Sequence, residues 1–202
     1  MTHFDRAALA LTAAASLVMA GCATQTAAPA PKAAASAAVA APAAVAPAAT
    51  SAKEFFVVLP EDGRVYAFGE AKTYFDYKAH GEVALTRTKI GAGPGGKTLV
   101  YGITNDDVKS NKPSIGEQLF EGKLPADASF YGEVFKDGRY YVFGNYEDMK
   151  AFTAFGEVPY SFTDIGAGPK GETLVWVMNK DSYAKGRPEA TIAKFKAIRA
   201  SK

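Results

Sequence analysis

From Lys53 onward the chain alternates short β-branched and aromatic runs with turn residues, and one pattern is written twice. Phe55-Phe56-Val57-Val58-Leu59 reads as a strand by its content. Asp62-Gly63 is a tight-turn signal, since glycine takes positive φ without steric cost, and Arg64-Val65-Tyr66-Ala67-Phe68 returns as a second strand. Glu70–His80 sets Ala71, Tyr74 and Tyr77 at helical spacing, and Gly81 follows as a helix-ending residue. Val83–Thr88 and Thr98–Ile103 are expected to pair around a Gly/Pro turn, with Leu99, Tyr101 and Ile103 on one buried face. Ser114-Ile115-Gly116-Glu117 has capping-box form ahead of Leu119-Phe120, so a short helix closes the unit.

A shift of 75 residues lays the second half on the first without a gap. Asp62-Gly63-Arg64 meets Asp137-Gly138-Arg139, Gly81-Glu82-Val83 meets Gly156-Glu157-Val158, and Ile90–Pro94 meets Ile165–Pro169. From Phe55 to Val108, 22 of 54 positions are identical. The second copy repeats each element: a strand over Arg139–Phe143, a helix carrying Tyr146, Met149 and Phe152, and an alternation of Leu174, Trp176 and Met178. A final helix runs from Glu189 to Arg199, with Pro188 in its first turn. The expectation is an α+β fold built by tandem duplication of a ββαββα unit with antiparallel hairpins, residues 54–128 and 129–202. A unit of this size buries a limited core alone, so the copies are expected to pack pseudo-symmetrically.

The first 53 residues follow another pattern. Met1–Arg6 is polar and Ala7–Ala20 is apolar, shorter than the roughly 20 residues that span a bilayer. The run ends in Leu17-Val18-Met19-Ala20-Gly21-Cys22. This segment resembles the lipobox of bacterial lipoproteins, with Met19 where leucine is usual. The resemblance implies that residues 1–21 are a signal peptide, cleaved before Cys22, and that Cys22 is acylated on its thiol and its new amino group. Several acyl chains on one residue anchor a domain stably. Ala23 and Thr24 follow the cysteine instead of aspartate, which by the same resemblance points to the outer membrane, with the domain facing the periplasm. Residues 22–53 then read as the lipidated cysteine and a disordered tether. Of the 31 residues from Ala23 to Lys53, 17 are alanine and four are proline, and none is large and apolar. Fully extended, the tether would reach on the order of 90 Å at about 3.1 Å per residue.

Composition narrows the chemistry. The 202 residues carry a net charge of +2, which argues against a nucleic-acid partner. One cysteine and two histidines exclude a disulfide framework, a zinc finger and any site of several thiolates or imidazoles, and no cofactor or metal is expected. Gly91-Ala92-Gly93-Pro94-Gly95-Gly96-Lys97-Thr98 matches the phosphate-loop pattern completely. Gly91, Gly93, Gly96, Lys97 and Thr98 are nevertheless read as a structural turn. The residues after Lys97 read as strand, so the helix dipole behind a bound phosphate is missing, and the second copy places Glu172 at the lysine position.

Other candidates are thinner. His80 aligns with Phe155 and reads as a packing position. Glu82 and Glu157 follow helix-ending glycines, and Asp62 and Asp137 belong to turns. Asn105-Asp106-Asp107 lacks the ligand spacing of a calcium loop and reads as a solvated turn. No catalytic residue is assigned: neither a Ser-His pair nor a pair of acids stands out. What remains is aromatic content. Tyr140, Tyr141 and Phe143 occupy both sides of one strand, so either some rings coat an open face or both faces are covered by helices and the other copy. Tyr101, Trp176 and Tyr140 are the candidate ligand-binding residues. The sequence thus reads as a non-catalytic binding or scaffold module of the cell envelope, tethered to the membrane, with peptidoglycan or an envelope protein as partner. The alternatives are an envelope enzyme acting on cell-wall or carbohydrate material, and an inhibitor or accessory subunit of an envelope complex.

Overall fold

The valine- and aromatic-rich runs form strands, and the best of them are buried on both sides. The computed structural model describes residues 51–201; the leader, and the tether as far as residue 50, lie outside the described residues. The first strand, β1, spans Ala52–Leu59 and takes in the last two residues of the expected tether. β2 (Arg64–Phe68), α1 (Ala71–His80), β3 (Thr86–Lys89) and β4 (Thr98–Gly102) follow. Two short helices, α2 (Asn105–Ser110) and α3 (Ile115–Phe120), end the first half. The second half runs β5 (Ala126–Lys136), β6 (Arg139–Phe143), α4 (Tyr146–Phe155), β7 (Tyr160–Asp164), β8 (Thr173–Met178), α5 (Lys180–Tyr183) and α6 (Glu189–Ala200).

Each half therefore contains one helix more than the ββαββα expectation. Asn105-Asp106-Asp107 is not a solvated turn but the first turn of α2, because Thr104 and Asp107 cap it reciprocally. Asn179 and Ser182 do the same for α5. Helices α1 and α4 end as expected: Gly81 and Gly156 take φ values of 78° and 76°, and each donates its N–H back to the last turn.

The eight strands form one mixed sheet in the order β3-β4-β2-β1-β5-β6-β8-β7, so the fold is mixed α/β. The expected hairpins are present as antiparallel pairs, but three parallel pairings join them: β2 with β4, β6 with β8, and β1 with β5 at the centre. The gap-free 75-residue register fails in the first strand of each half. Phe68 stands opposite Phe56, whereas Phe143 stands opposite Gly132, not Tyr131. The cause is the turn. Asp137 and Gly138, at φ 50° and 71°, make a two-residue hairpin loop, while the loop before Arg64 is one residue longer.

Helices cover both sides of the sheet. On one side Tyr74 of α1 stacks on Phe56, with centroids 4.6 Å apart, and Phe195 of α6 meets Trp176 edge-on at 5.5 Å. On the other side Phe152 of α4 packs on Phe143 at 5.5 Å, and Phe120 of α3 meets Tyr101 at 6.2 Å. Each side thus carries one helix from each half. Leu99 and Tyr101 lie toward one side and Leu174 and Trp176 toward the other, and Val100, Val175 and Val177 between them are buried as well. The single buried face expected for these strands is therefore two.

One charged group sits inside this core. Glu133, on the central strand β5, has no solvent exposure. Its carboxylate accepts hydrogen bonds from Tyr74 and, at 2.7 Å, from Tyr131, and Arg199 Nη2 lies 2.9 Å from each of its oxygens. The guanidinium also lies over the Phe195 ring, 3.4 Å from its centroid. Burial, then the adjacent carboxylate, pushes both phenols well above the usual tyrosine range, so they remain donors. The cluster ties α1, β5 and α6 together. Arg199→Ala strands a buried carboxylate and is expected to cost about 3–5 kcal/mol. The combined Glu133→Gln, Arg199→Met variant should lose less. Urea midpoints of the two proteins check this, and equal losses would contradict it.

Candidate functional site

Three rings were singled out as ligand-binding residues, and the fold buries all of them. Tyr101, Trp176 and Tyr140 expose 0%, 2% and 4% of their surface. Trp176 donates its indole N–H to Asp164 at 2.8 Å, while the Tyr101 hydroxyl lies 3.4 Å from Glu121. They hold the helices to the sheet and offer no face to a ligand. His80, expected to pack, is exposed at the end of α1, and its counterpart Phe155 is 80% exposed. Neither side chain is buried against the sheet. Glu82 and Glu157 are exposed.

The phosphate-loop match is a turn in the structure. Pro94–Gly96 form a single 3-10 turn, Lys97 is extended at φ −68° and ψ 154°, and Thr98 opens β4. No helix begins behind the glycines. Gly93 N–H donates to Lys97 O at 2.8 Å, and Gly168 N–H donates to Glu172 O at the same distance. A Cβ at either glycine would lie 2.9 Å from that carbonyl oxygen. Backbone closure thus accounts for the retained glycines, and the Lys97 position contributes its carbonyl to it, not its side chain.

The side of each outer hairpin that faces a helix is specialised. In the first half Arg87 and Lys89 of β3 reach Glu117 at 2.6 and 2.7 Å, and Lys89 also pairs with Glu121. Burial works against the Glu117 charge, but the hydrogen bonds from Lys89 and Arg87 outweigh it and hold the carboxyl below its usual range. Glu117 is thereby drawn out of the expected capping box, and Ser114 Oγ alone caps α3. In the second half Phe162 and Asp164 occupy these positions. Phe162 stacks on Tyr183 at 5.1 Å, and Asp164 pairs with Arg187. The two halves hold their closing helices by different chemistry.

The reverse side of the same hairpins is where the halves agree. In the first half Arg64 lies beside Thr98, and Tyr66 and Thr88 flank Val100. In the second half Arg139 lies beside Thr173, and Tyr141 and Thr163 flank Val175. Just past the ends of β3 and β7 stand Ile90 and Ile165, each 88% exposed. The helix of the same half covers only the inner edge of each surface: Tyr66 packs on Tyr77, and Tyr141 on Phe152, both at 4.5 Å. Beyond that edge the sheet is open. In the first half it floors a cleft of about 610 Å³, rimmed by Gly81, Glu82 and Val83. Sequence reasoning missed this surface. Its signal was present as identities falling on alternate strand positions, Arg64, Tyr66, Thr98 and Val100 among them, which share one side of the sheet.

Among the described residues no three His, Cys, Asp or Glu side chains gather to hold a metal, and no helix is long and apolar enough to cross a membrane. Comparison with known proteins finds no family model, curated protein or solved structure that matches the chain.

One ionisable group near the core has a displaced titration. Lys78 of α1 is half-buried, with Nζ 2.9 Å from the Phe135 ring centroid. Burial pulls its pKa from 10.5 down to about 8, against the opposing pull of Glu172 and Glu133. The folded chain therefore releases this proton before the unfolded chain does, and stability should rise with pH from about 8 until the unfolded lysine titrates. Urea midpoints at increasing pH between 8 and 9.5 should climb for the native chain and stay level for Lys78→Met. A flat native profile would contradict the assignment.

Proposed function

We propose that the chain is a lipid-anchored lipoprotein of the bacterial cell envelope, held at the outer membrane, whose α/β body acts as a non-catalytic binding or scaffold module on the periplasmic side. The carrying observation is the order of parts: an apolar run that ends in Cys22, an Ala/Pro-rich tether, and a body whose first strand begins at Ala52. Acyl chains at Cys22 supply the anchor, and the tether lets the body reach away from the bilayer.

The same proposal takes the body to be a tandem duplication. In its support, the strand order reads outward from the centre as β1-β2-β4-β3 on one side and β5-β6-β8-β7 on the other. The parallel and antiparallel pairings also match between the halves. Binding rather than scaffolding alone is favoured by the two open surfaces, which keep the same exposed side chains while the helix-facing side diverges.

Metabolic labelling with radioactive palmitate tests the anchor. The native chain should take up label and fractionate with the outer membrane, and Cys22→Ser should take up none and leave it. A native chain that stays unlabelled, or that remains in the cytosol, removes the reading.

A further inference from the structure

We infer that each half carries one glycan-binding face, so that the body holds two equivalent sites for a repeating, uncharged polysaccharide on opposite sides of one sheet. The inference deepens the binding-module reading above and rests on it.

The two sides of the outer strands differ in what the halves retain. On the helix-facing side of the outer strands, Val65 stands against Tyr140, Ala67 against Val142, and Tyr101 against Trp176; only Leu99 finds its like in Leu174. Cores tolerate such exchanges when volume and pattern are kept. On the open side every matched pair is the same residue except in the innermost row, where Thr86 and Gly102 meet Ser161 and Val177. Arg64, Thr88 and Ile90 are exposed there, as are Arg139, Thr163 and Ile165. Stability does not account for this, because substitutions at exposed positions usually change it by about 0.5 kcal/mol or less. A ligand that meets both faces does account for it, and the identity of the two sets means that it presents the same unit to each.

The chemistry of the faces points the same way. Each face offers hydroxyl groups from three strands and a guanidinium, and Glu82 stands at the rim of the first. Arg64 already donates to the Tyr66 hydroxyl at 3.2 Å, which fixes both groups at the surface. On the first face Asp62 lies 3.9 Å from Arg64 and Glu82 stands at the rim, so no excess of positive charge remains. Anionic polymers and anionic lipid surfaces instead call for concentrated lysine and arginine. Dense hydroxyls beside a ring and an exposed isoleucine suit a polyhydroxylated ring, whose C–H surface packs on apolar groups while its hydroxyls hydrogen-bond around them.

Two faces also make the body bivalent. Two like sites on opposite sides of a rigid sheet cannot both engage a single short oligosaccharide. They can engage neighbouring strands of a polymer, and joint engagement then strengthens binding by about 10² or more without new contacts. The cell-wall glycan is the repeating polysaccharide that an envelope-anchored body meets.

The test uses the detergent-solubilised full chain and purified peptidoglycan sacculi as the probe, read by co-sedimentation. The native chain should sediment with sacculi. Soluble chitin oligosaccharides, which present uncharged N-acetylated sugar units, should compete, and peptides released from the sacculi should not. Arg64→Ala or Arg139→Ala alone should weaken binding about tenfold or more, and the double variant should abolish it while its thermal transition stays unchanged. Thr88→Ala with Thr163→Ala, which removes no charge, should weaken it too. No sedimentation of a chain that still carries palmitate at Cys22 would overturn the glycan inference and leave the envelope reading standing. Undiminished binding by the double arginine variant would overturn it, as would competition by the peptides alone. Self-association of the native chain that is lost in the same variant would also overturn it, and would assign the faces to a second copy.

Discussion

The parallel pairing of β1 with β5 is the constraint on which the rest of the molecule depends. Two strands that run the same way at the centre of a sheet cannot be joined by a hairpin, so a long crossover must separate them, and the whole first half serves as that crossover. Each half then spreads outward from the seam in the same strand order. Matched positions of the two halves face opposite sides of the sheet: Tyr66 lies toward α1 and α6, whereas Tyr141 lies toward α3 and α4. That exchange of sides is why each surface receives one helix from each half. It is also why each half is left with one outer hairpin whose reverse side no helix covers. The central strand pays no penalty for its position, since Phe55, Phe56, Val57 and Val58 are buried on alternate sides.

The seam also explains the fully buried Glu133. A carboxylate in the middle of β5 is tolerated because three elements that converge there supply its donors: α1 through Tyr74, β5 itself through Tyr131, and α6 through Arg199. The last two helical turns of the chain are thereby pinned to its centre. The opposite surface uses a looser arrangement, with Glu117 and Glu121 gripping Arg87 and Lys89 of the edge strand β3 nearer to solvent. Each closing helix is held by ion pairs in which the partner is distant in sequence, and so the two halves can diverge in how they do it.

Local chemistry was legible in the sequence and long-range pairing was not. The strands at Arg64–Phe68 and Arg139–Phe143, the glycine ends of α1 and α4, and the turn nature of Gly91–Lys97 follow from properties of a few adjacent residues. The parallel pairings leave no local mark, because a strand buried on both sides shows no alternation. A one-residue change in a hairpin turn is invisible when flanking identities carry the alignment, and yet it moves every partner of β5 by one place. The Glu133 cluster depends on Arg199, 66 residues away. The buried rings Tyr101, Trp176 and Tyr140 drew attention because aromatic residues look alike whether they bind ligands or hold helices. The informative signal was humbler: threonines, an arginine and an isoleucine repeated at alternate positions of strands that lie together.

If the seam organises the fold, its hydrogen bonds must be the last to open. Native-state hydrogen exchange on the full chain measures this residue by residue. The amides of β1 and β5 that bridge the two halves, from Phe55 to Val58 and from Gly132 to Phe135, should exchange only through global unfolding. Both outer hairpins should lose protection in smaller openings. Two separate unfolding units, each with its most protected amides in its own outer strands and with an early-opening seam, would contradict the account.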